Sequence, residues 1–103
     1  MTNRRRTQIE KRIERIKSEI AEIGEMRPGS LTQQYKDRQR KAGPFYQLSY
    51  THEMKSRTNY IRKDFVSMVR KQIKNYKRFK KLTTEWVALG IEHSKLSMEP
   101  KKD

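Results

Sequence analysis

Cysteine is missing from all 103 residues, which excludes disulfides and thiolate metal sites. The four glycines are scattered rather than clustered, so no glycine loop is available to cradle a phosphate. No apolar run exceeds four residues, far short of the ~20 that span a bilayer. Arg4, Arg5 and Arg6 are followed by no apolar stretch, so no secretory signal is expected, and a cytoplasmic protein is the default. Apolar residues are scarce at 32% while charged ones reach 37%. A large globular core is thereby excluded, and the length suits one domain. The apolar spacing is nevertheless too regular for a disordered tail and points to long helices sharing a narrow seam.

Acid is scarcest in the middle of the chain, where cations abound. The formal net charge is +14. Residues 1–26 balance seven Lys/Arg with five Glu, and residues 82–103 set three Lys against four acids. The stretch 27–81 carries sixteen Lys/Arg against only Asp37, Glu53 and Asp64. A field so localised must find counter-charge, and phosphate backbones are its commonest macromolecular source.

The spacing predicts a helix over 7–25, with Ile9, Ile13, Ile16, Ile20 and Ile23 at alternating steps of four and three, the pattern of a heptad seam. Charges of both signs fill its flanks, as on a solvated helix. Pro28 and Gly29 end it. Residues 26–43 read as an exposed basic linker, with a short helical turn near Leu31–Tyr35 capped by Ser30. Residues 44–61 switch to period two and predict a β-hairpin. Phe45, Gln47, Ser49 and Thr51 alternate with Tyr46, Leu48 and Tyr50, a turn lies over His52–Lys55, and Ser56–Ile61 return. A lone hairpin is marginal in water and needs a packing partner.

Asp64 is expected to cap a final helix over 64–96, leaving 97–103 as a flexible tail. Its apolar face shifts midway. Phe65, Val69, Ile73 and Tyr76 form one stripe, suited to support the hairpin. Phe79, Leu82, Trp86, Leu89 and His93 form another, suited to pack antiparallel on the isoleucine helix. Val87 and Ile91 add a strip that two helices alone cannot bury. The expected fold is therefore mainly α with a β-hairpin: long helix, linker, β-hairpin, long helix. Its antiparallel helical hairpin would dimerise as a four-helix bundle, with Ile9, Ile13, Ile16, Ile20, Ile23, Leu82, Trp86 and Leu89 as the helical interface.

The segment Arg62–Lys81 is the most specific feature. Arg70, Lys74, Lys77 and Lys81 share one helix face, with Lys71 and Arg78 extending it. Successive cations lie about 6 Å apart at 1.5 Å per residue, close to phosphate spacing. The bland alternative is that these cations merely solvate a helix face, but the near-absence of acids speaks against it. Arg57, Arg62 and Lys63, and Arg38, Arg40 and Lys41 in the linker, are further nucleic-acid-binding candidates. Tyr46, Tyr50 and Tyr60 are candidates to stack on unpaired bases, the competing role being packing on the helix.

Catalysis has little support. The acids are isolated, and His52 and His93 have no companions at ligand spacing, so both read as structural and no metal or cofactor is expected. No nucleophile has a base beside it.

Met26-Arg-Pro-Gly-Ser-Leu31, Gly43-Pro-Phe-Tyr-Gln-Leu-Ser-Tyr50 and Lys74-Asn-Tyr-Lys-Arg-Phe79, with Glu85-Trp86 downstream, are moderately distinctive in combination. The region that they mark, about half the chain, resembles a family of small uncharacterised prokaryotic proteins associated with mobile elements. That family commonly carries a cysteine pair before a His-Gly-Pro-Tyr segment, which implies metal or thiol chemistry. Here Lys41-Ala42 precedes Gly43 and no cysteine exists, so no metal role carries over. The tyrosine-rich hairpin before a basic helix is also similar to β-ribbons of transposase and recombinase accessory regions.

Two functions are expected from different classes. The first is a non-enzymatic nucleic-acid-binding accessory protein, homodimeric and able to join a larger nucleoprotein complex, with no membrane partner. The alternative is a helical protein–protein interaction module, for instance a small subunit docking on a larger ribonucleoprotein complex or on an acidic protein surface, with its contacts at Trp86, Val87, Leu89 and Ile91.

Overall fold

A computed structural model describes residues 2–99. The chain runs α1 (Thr2–Glu22), β1 (Ser30–Asp37), β2 (Ala42–His52), β3 (Lys55–Ile61), a 3-10 turn (Lys63–Phe65) and α2 (Val66–Ser97). It divides into two compact units. One comprises the residues up to Ile23 with those from Arg78 onward, and the other comprises Gly24–Lys77. The helix α2 contributes to both.

In the helical unit the isoleucine spacing is explained by an antiparallel partner. Ile9 and Ile16, two turns apart on α1, are fully buried, and Leu82 of α2 is buried with them. Arg5 pairs with Glu92 and Arg12 with Glu85 along one flank. Along the other, Glu10 faces His93 and Lys17 covers Trp86. Each heptad step up α1 is matched by a heptad step down α2, so the seam stays in register. The remaining interface isoleucines, Ile13, Ile20 and Ile23, are half-buried, as are Trp86 and Leu89.

In the other unit the three strands form an antiparallel meander in the order β1-β2-β3. Leu48 lies at its centre, opposite Leu31 on β1 and Asn59 on β3. Period two puts Tyr46, Leu48 and Tyr50 on one face, and that face meets α2. Leu48, Val69 and Ile73 form the buried cluster, with Leu31, Tyr50 and Ile61 packed around it. Burying Leu48 contributes roughly 1.5–3 kcal/mol. The segment before β1 is tied down by hydrogen bonds from Arg27 N to Gln72 O (3.2 Å) and from Asn75 Nδ2 to Glu25 O (2.9 Å).

Several expectations are corrected. The architecture is helix, three-stranded sheet, helix, and not the helix–linker–hairpin–helix of a four-helix bundle. The expected linker and its helical turn at Leu31–Tyr35 are instead strand β1. Leu31 and Tyr35 alternate onto the helix-facing side, and β2 supplies the hydrogen bonds that the segment lacks locally. Asp37 ends β1 by accepting hydrogen bonds at Oδ1 from the backbone of Gln39 and Arg40 (3.1 and 3.2 Å), an Asx-type turn. The isoleucine helix ends at Glu22, before the expected Glu25. Asp64 does not cap α2, since it lies within the 3-10 turn, and α2 begins at Val66. Of the expected tail, Ser97 ends α2, and residues 100–103 lie outside the described residues. Among the described residues, no helix is long and apolar enough to cross a membrane.

Candidate nucleic-acid interface

The pairing of β1 with β2 sets the edge of the sheet beside α2, and the gap between them is a cleft of about 360 Å³. Gly29, Ser30 and Leu31 form one wall, and Arg70, Ile73, Lys74 and Lys77 the other. Ile73 belongs to the core, which fixes the rotation of α2 and turns the three cations outward. All three are exposed, and among the described residues none makes an ion pair. Unpaired cations gathered in one concavity raise the local potential and attract anions.

None of the acids of this unit lines the cleft. Asp37 shapes the β1–β2 turn and sits 3.9 Å from Arg40. Glu53 lies at the hairpin tip, 3.6 Å from His52, and Glu25 belongs to the tethered segment before β1. Asp64 is exposed in the 3-10 turn.

The other candidates do not line this cleft. Lys71 is exposed on α2 but does not line it. Arg78 and Lys81 belong to the helical unit's share of α2, where Lys81 adds its charge to the field on Glu85. Arg38, Arg40 and Lys41 form the β1–β2 turn. Arg57 stands opposite Tyr50 on β3. Arg62 follows β3 and Lys63 opens the 3-10 turn. With Arg27, Arg62 also borders a second groove lined by Ile61, Phe65 and Met68.

The stacking candidates separate by face. Tyr46 and Tyr50 lie on the side turned to α2 and are half-buried, Tyr50 against the core. Tyr60 lies on the opposite side with 75% of its surface exposed. Its ring pairs with that of Phe45 at 5.8 Å between centroids. Sequence reasoning missed Phe45 as a stacking candidate, although its alternation with Tyr46 was the available signal. It grouped Arg27 with the cations of the expected basic linker and missed its contact, the guanidinium lying over Tyr50.

The helical unit has a different electrostatic character. Glu85 and Glu92 are held below the usual carboxylate range, chiefly by hydrogen bonds from Arg12 and Arg5. The same contacts raise the two guanidinium pKa values. Acids interleave with the cations there, and Arg5, Arg12 and Lys17 each pair with a Glu. His93 lies 3.4 Å from Glu10 and His52 beside Glu53. Among the described residues, no three His, Cys, Asp or Glu gather to hold a metal ion.

No curated protein and no solved structure matches the chain. A family described as a domain of unknown function, DUF6788, matches residues 6–71. The match covers most of α1, the whole sheet and the start of α2 through Arg70 and Lys71, and stops short of Lys74. Spanning more than half of the sequence, it shows that the chain belongs to the DUF6788 family.

Proposed function

We infer that the protein is a non-enzymatic nucleic-acid-binding accessory factor. The observation that carries this reading is the cleft between β1 and α2, where Arg70, Lys74 and Lys77 present unpaired charge with no opposing acid. Arg70 and Lys74 are one helical step apart, about 6 Å along the axis, a spacing that suits consecutive phosphates. Arg57, Arg62 and the β1–β2 turn would extend the contact. A cytoplasmic, prokaryotic, mobile-element setting belongs to the same proposal and is supported by the resemblance of Met26–Leu31 and Gly43–Tyr50.

The test is a binding titration against generic nucleic acid across a salt series. Affinity should fall steeply and linearly in log–log form as salt rises. Reversal of Arg70, Lys74 and Lys77 to Glu should abolish binding while the circular dichroism spectrum is unchanged. Binding indifferent to salt, or none at low ionic strength, refutes the function.

The protein-docking alternative keeps one observation in its favour. Val87 and Ile91 lie one helical step apart on α2 and are 62% and 53% exposed, whereas Trp86 is half-buried beneath Lys17. Under that alternative Val87→Asp, not Trp86→Ala, would abolish partner capture.

A further inference from the structure

The side of the sheet turned away from α2 has a composition unlike the rest of the molecule. Register fixes its members: Ser49 stands between Ser30 and Thr58, and Gln47 between Thr32 and Tyr60. Thr51 and Ser56 confirm the shared face, their hydroxyls lying 3.3 Å apart. Hydroxyl and amide groups thus cover most of it, no acid occurs on it, and Lys36 is its one charged residue among the strands. The hydroxyl residues are exposed.

Two aromatics interrupt this polar surface at one end. Phe45 and Tyr60 sit diagonally across β2 and β3, with ring planes inclined by 51°. Tilted rings do not cover one another fully, so each keeps a face for a planar ligand. The end of the sheet that holds them is also its basic end. The β1–β2 turn brings Arg38, Arg40 and Lys41 there, and Arg62 follows directly on β3. Stacking faces, hydrogen-bonding groups and flanking cations are the three parts of a platform for unpaired nucleotides.

We propose that this open sheet face binds single-stranded RNA, with bases stacked on Phe45 and Tyr60 and phosphates directed to the cations of the β1–β2 turn and Arg62. The inference rests on the nucleic-acid function above and adds its substrate class. Duplex cannot use the platform, because its bases are already stacked and paired. RNA rather than DNA follows from the hydroxyl-rich surface. Ser and Thr hydroxyls both donate and accept hydrogen bonds, as does the ribose 2′-hydroxyl, whereas phosphate oxygens only accept.

The experiment is fluorescence anisotropy of the full chain at low salt with labelled oligo(U), oligo(dU) and duplex RNA of equal length. Oligo(U) should bind ~10-fold tighter than the duplex, and more tightly than oligo(dU). Tyr60→Ser and Phe45→Ser should each weaken oligo(U) by roughly fivefold or more, with duplex affinity unchanged. Tyr60→Trp should keep oligo(U) binding. Phe45 is half-buried, so Thr58→Glu, at an exposed position of the same face, gives a second disruption that does not touch the packing. It should weaken oligo(U) selectively. Equal binding of oligo(U) and duplex with Tyr60→Ser silent overturns the platform and leaves the α2 cleft standing. Equal affinity for oligo(dU) overturns the assignment to RNA. No binding of any strand overturns both proposals.

Discussion

The guanidinium of Arg27 lies over the ring of Tyr50, 5.0 Å from its centroid, and donates from Nη2 to Oδ1 of Asn59 at 3.4 Å. Its backbone N–H meets Gln72 of α2. One residue thereby ties β2, β3 and α2 together outside the small aliphatic cluster. A cation–π contact of this kind is worth about 0.5–1 kcal/mol, and the buried stem of the arginine adds packing.

Arg27→Ala should therefore lower unfolding stability by ~1–2 kcal/mol, read as a shifted urea midpoint. Arg27→Met, which keeps the stem, should cost less. In a double-mutant cycle with Tyr50→Leu the coupling should reach at least ~0.5 kcal/mol. A midpoint unmoved by Arg27→Ala would show that the contact is ornamental.

Gly29 makes a sharper demand. Its φ is +141°, and a Cβ placed there would lie 2.6 Å from Cδ1 of Leu48 and 3.1 Å from the carbonyl oxygen of Ser49. The chain enters β1 by passing directly over the central core residue. Gly29→Ala would strain the backbone and push on Leu48 together, costing ~2 kcal/mol or more. Gly90→Ala is the control, since nothing lies within 4 Å of its added Cβ. Thermal melts should separate the two variants by several degrees, with Gly29→Ala alone destabilised. Equal melting temperatures contradict the crossing.

These two residues also mark what a single sequence could reveal. The isoleucine ladder of α1 and the period-two pattern through Leu48 were legible because each element carries its own periodicity. Strand β1 was not, because Ser30–Asp37 offers only Leu31 and Tyr35 as apolar positions, and its pairing with β2 is a tertiary fact. Pro28-Gly29 was readable as a breaker, but not as the close approach over Leu48. The cations of α2 were legible as a stripe. Which of them share a cleft depended on β1, so Arg70, Lys74 and Lys77 separate from Lys71 only once that strand is recognised. Tyr60 parted from Tyr46 and Tyr50 for the same reason, since the buried face is decided by what packs on it.

The cleft yields a graded prediction. If Lys74 neutralises one phosphate, Lys74→Gln should reduce the slope of log affinity against log salt by roughly 0.7–0.9. Lys95, exposed near the end of α2, should give no such change when replaced by Gln. Identical slopes for the two variants would remove Lys74 from the interface.

The helical unit carries a pH dependence whose sign follows from its ion pairs. Arg12 donates from Nη2 to Glu85 at 2.8 Å, and Arg5 likewise to Glu92 at 2.9 Å. Both carboxyls are lowered, first by those hydrogen bonds. A carboxylate with a folded pKa below its unfolded value contributes stability above the unfolded value. The contribution is lost as pH falls through the folded value. Acid should therefore weaken the protein below the ordinary carboxylate range. The double variant Glu85→Gln, Glu92→Gln should be less stable than the parent at pH 7 and lose less on acidification. The pairs are partly exposed, so solvent screening keeps the difference modest. Parallel acid-stability curves for parent and variant would dismiss the pairs as contributors.

The β2–β3 turn offers an opposite change, one that should stabilise. His52 pairs with Lys55, leaving Glu53 and Met54 as a two-residue loop with φ of +51° and +66°. Positive φ at both positions is the requirement of a type I′ turn, for which Asn-Gly is the favoured sequence. Neither Glu nor Met suits that region, where an ordinary L-residue carries a penalty of roughly 1–2 kcal/mol. Met54 is 97% exposed, and among the described residues the ion-pair partner of the exposed Glu53 is His52 at 3.6 Å, so little contact is lost on replacement. Glu53→Asn with Met54→Gly should raise stability by ~1 kcal/mol, the relief of strain being partly offset by the entropy of the new glycine. A chemical denaturation series reads this directly. Nucleic-acid affinity should be unchanged, because the tip lies outside both the α2 cleft and the Phe45–Tyr60 end of the sheet. If stability rises but binding falls, the exposed tip itself touches the ligand, and the interface extends along the full length of the hairpin.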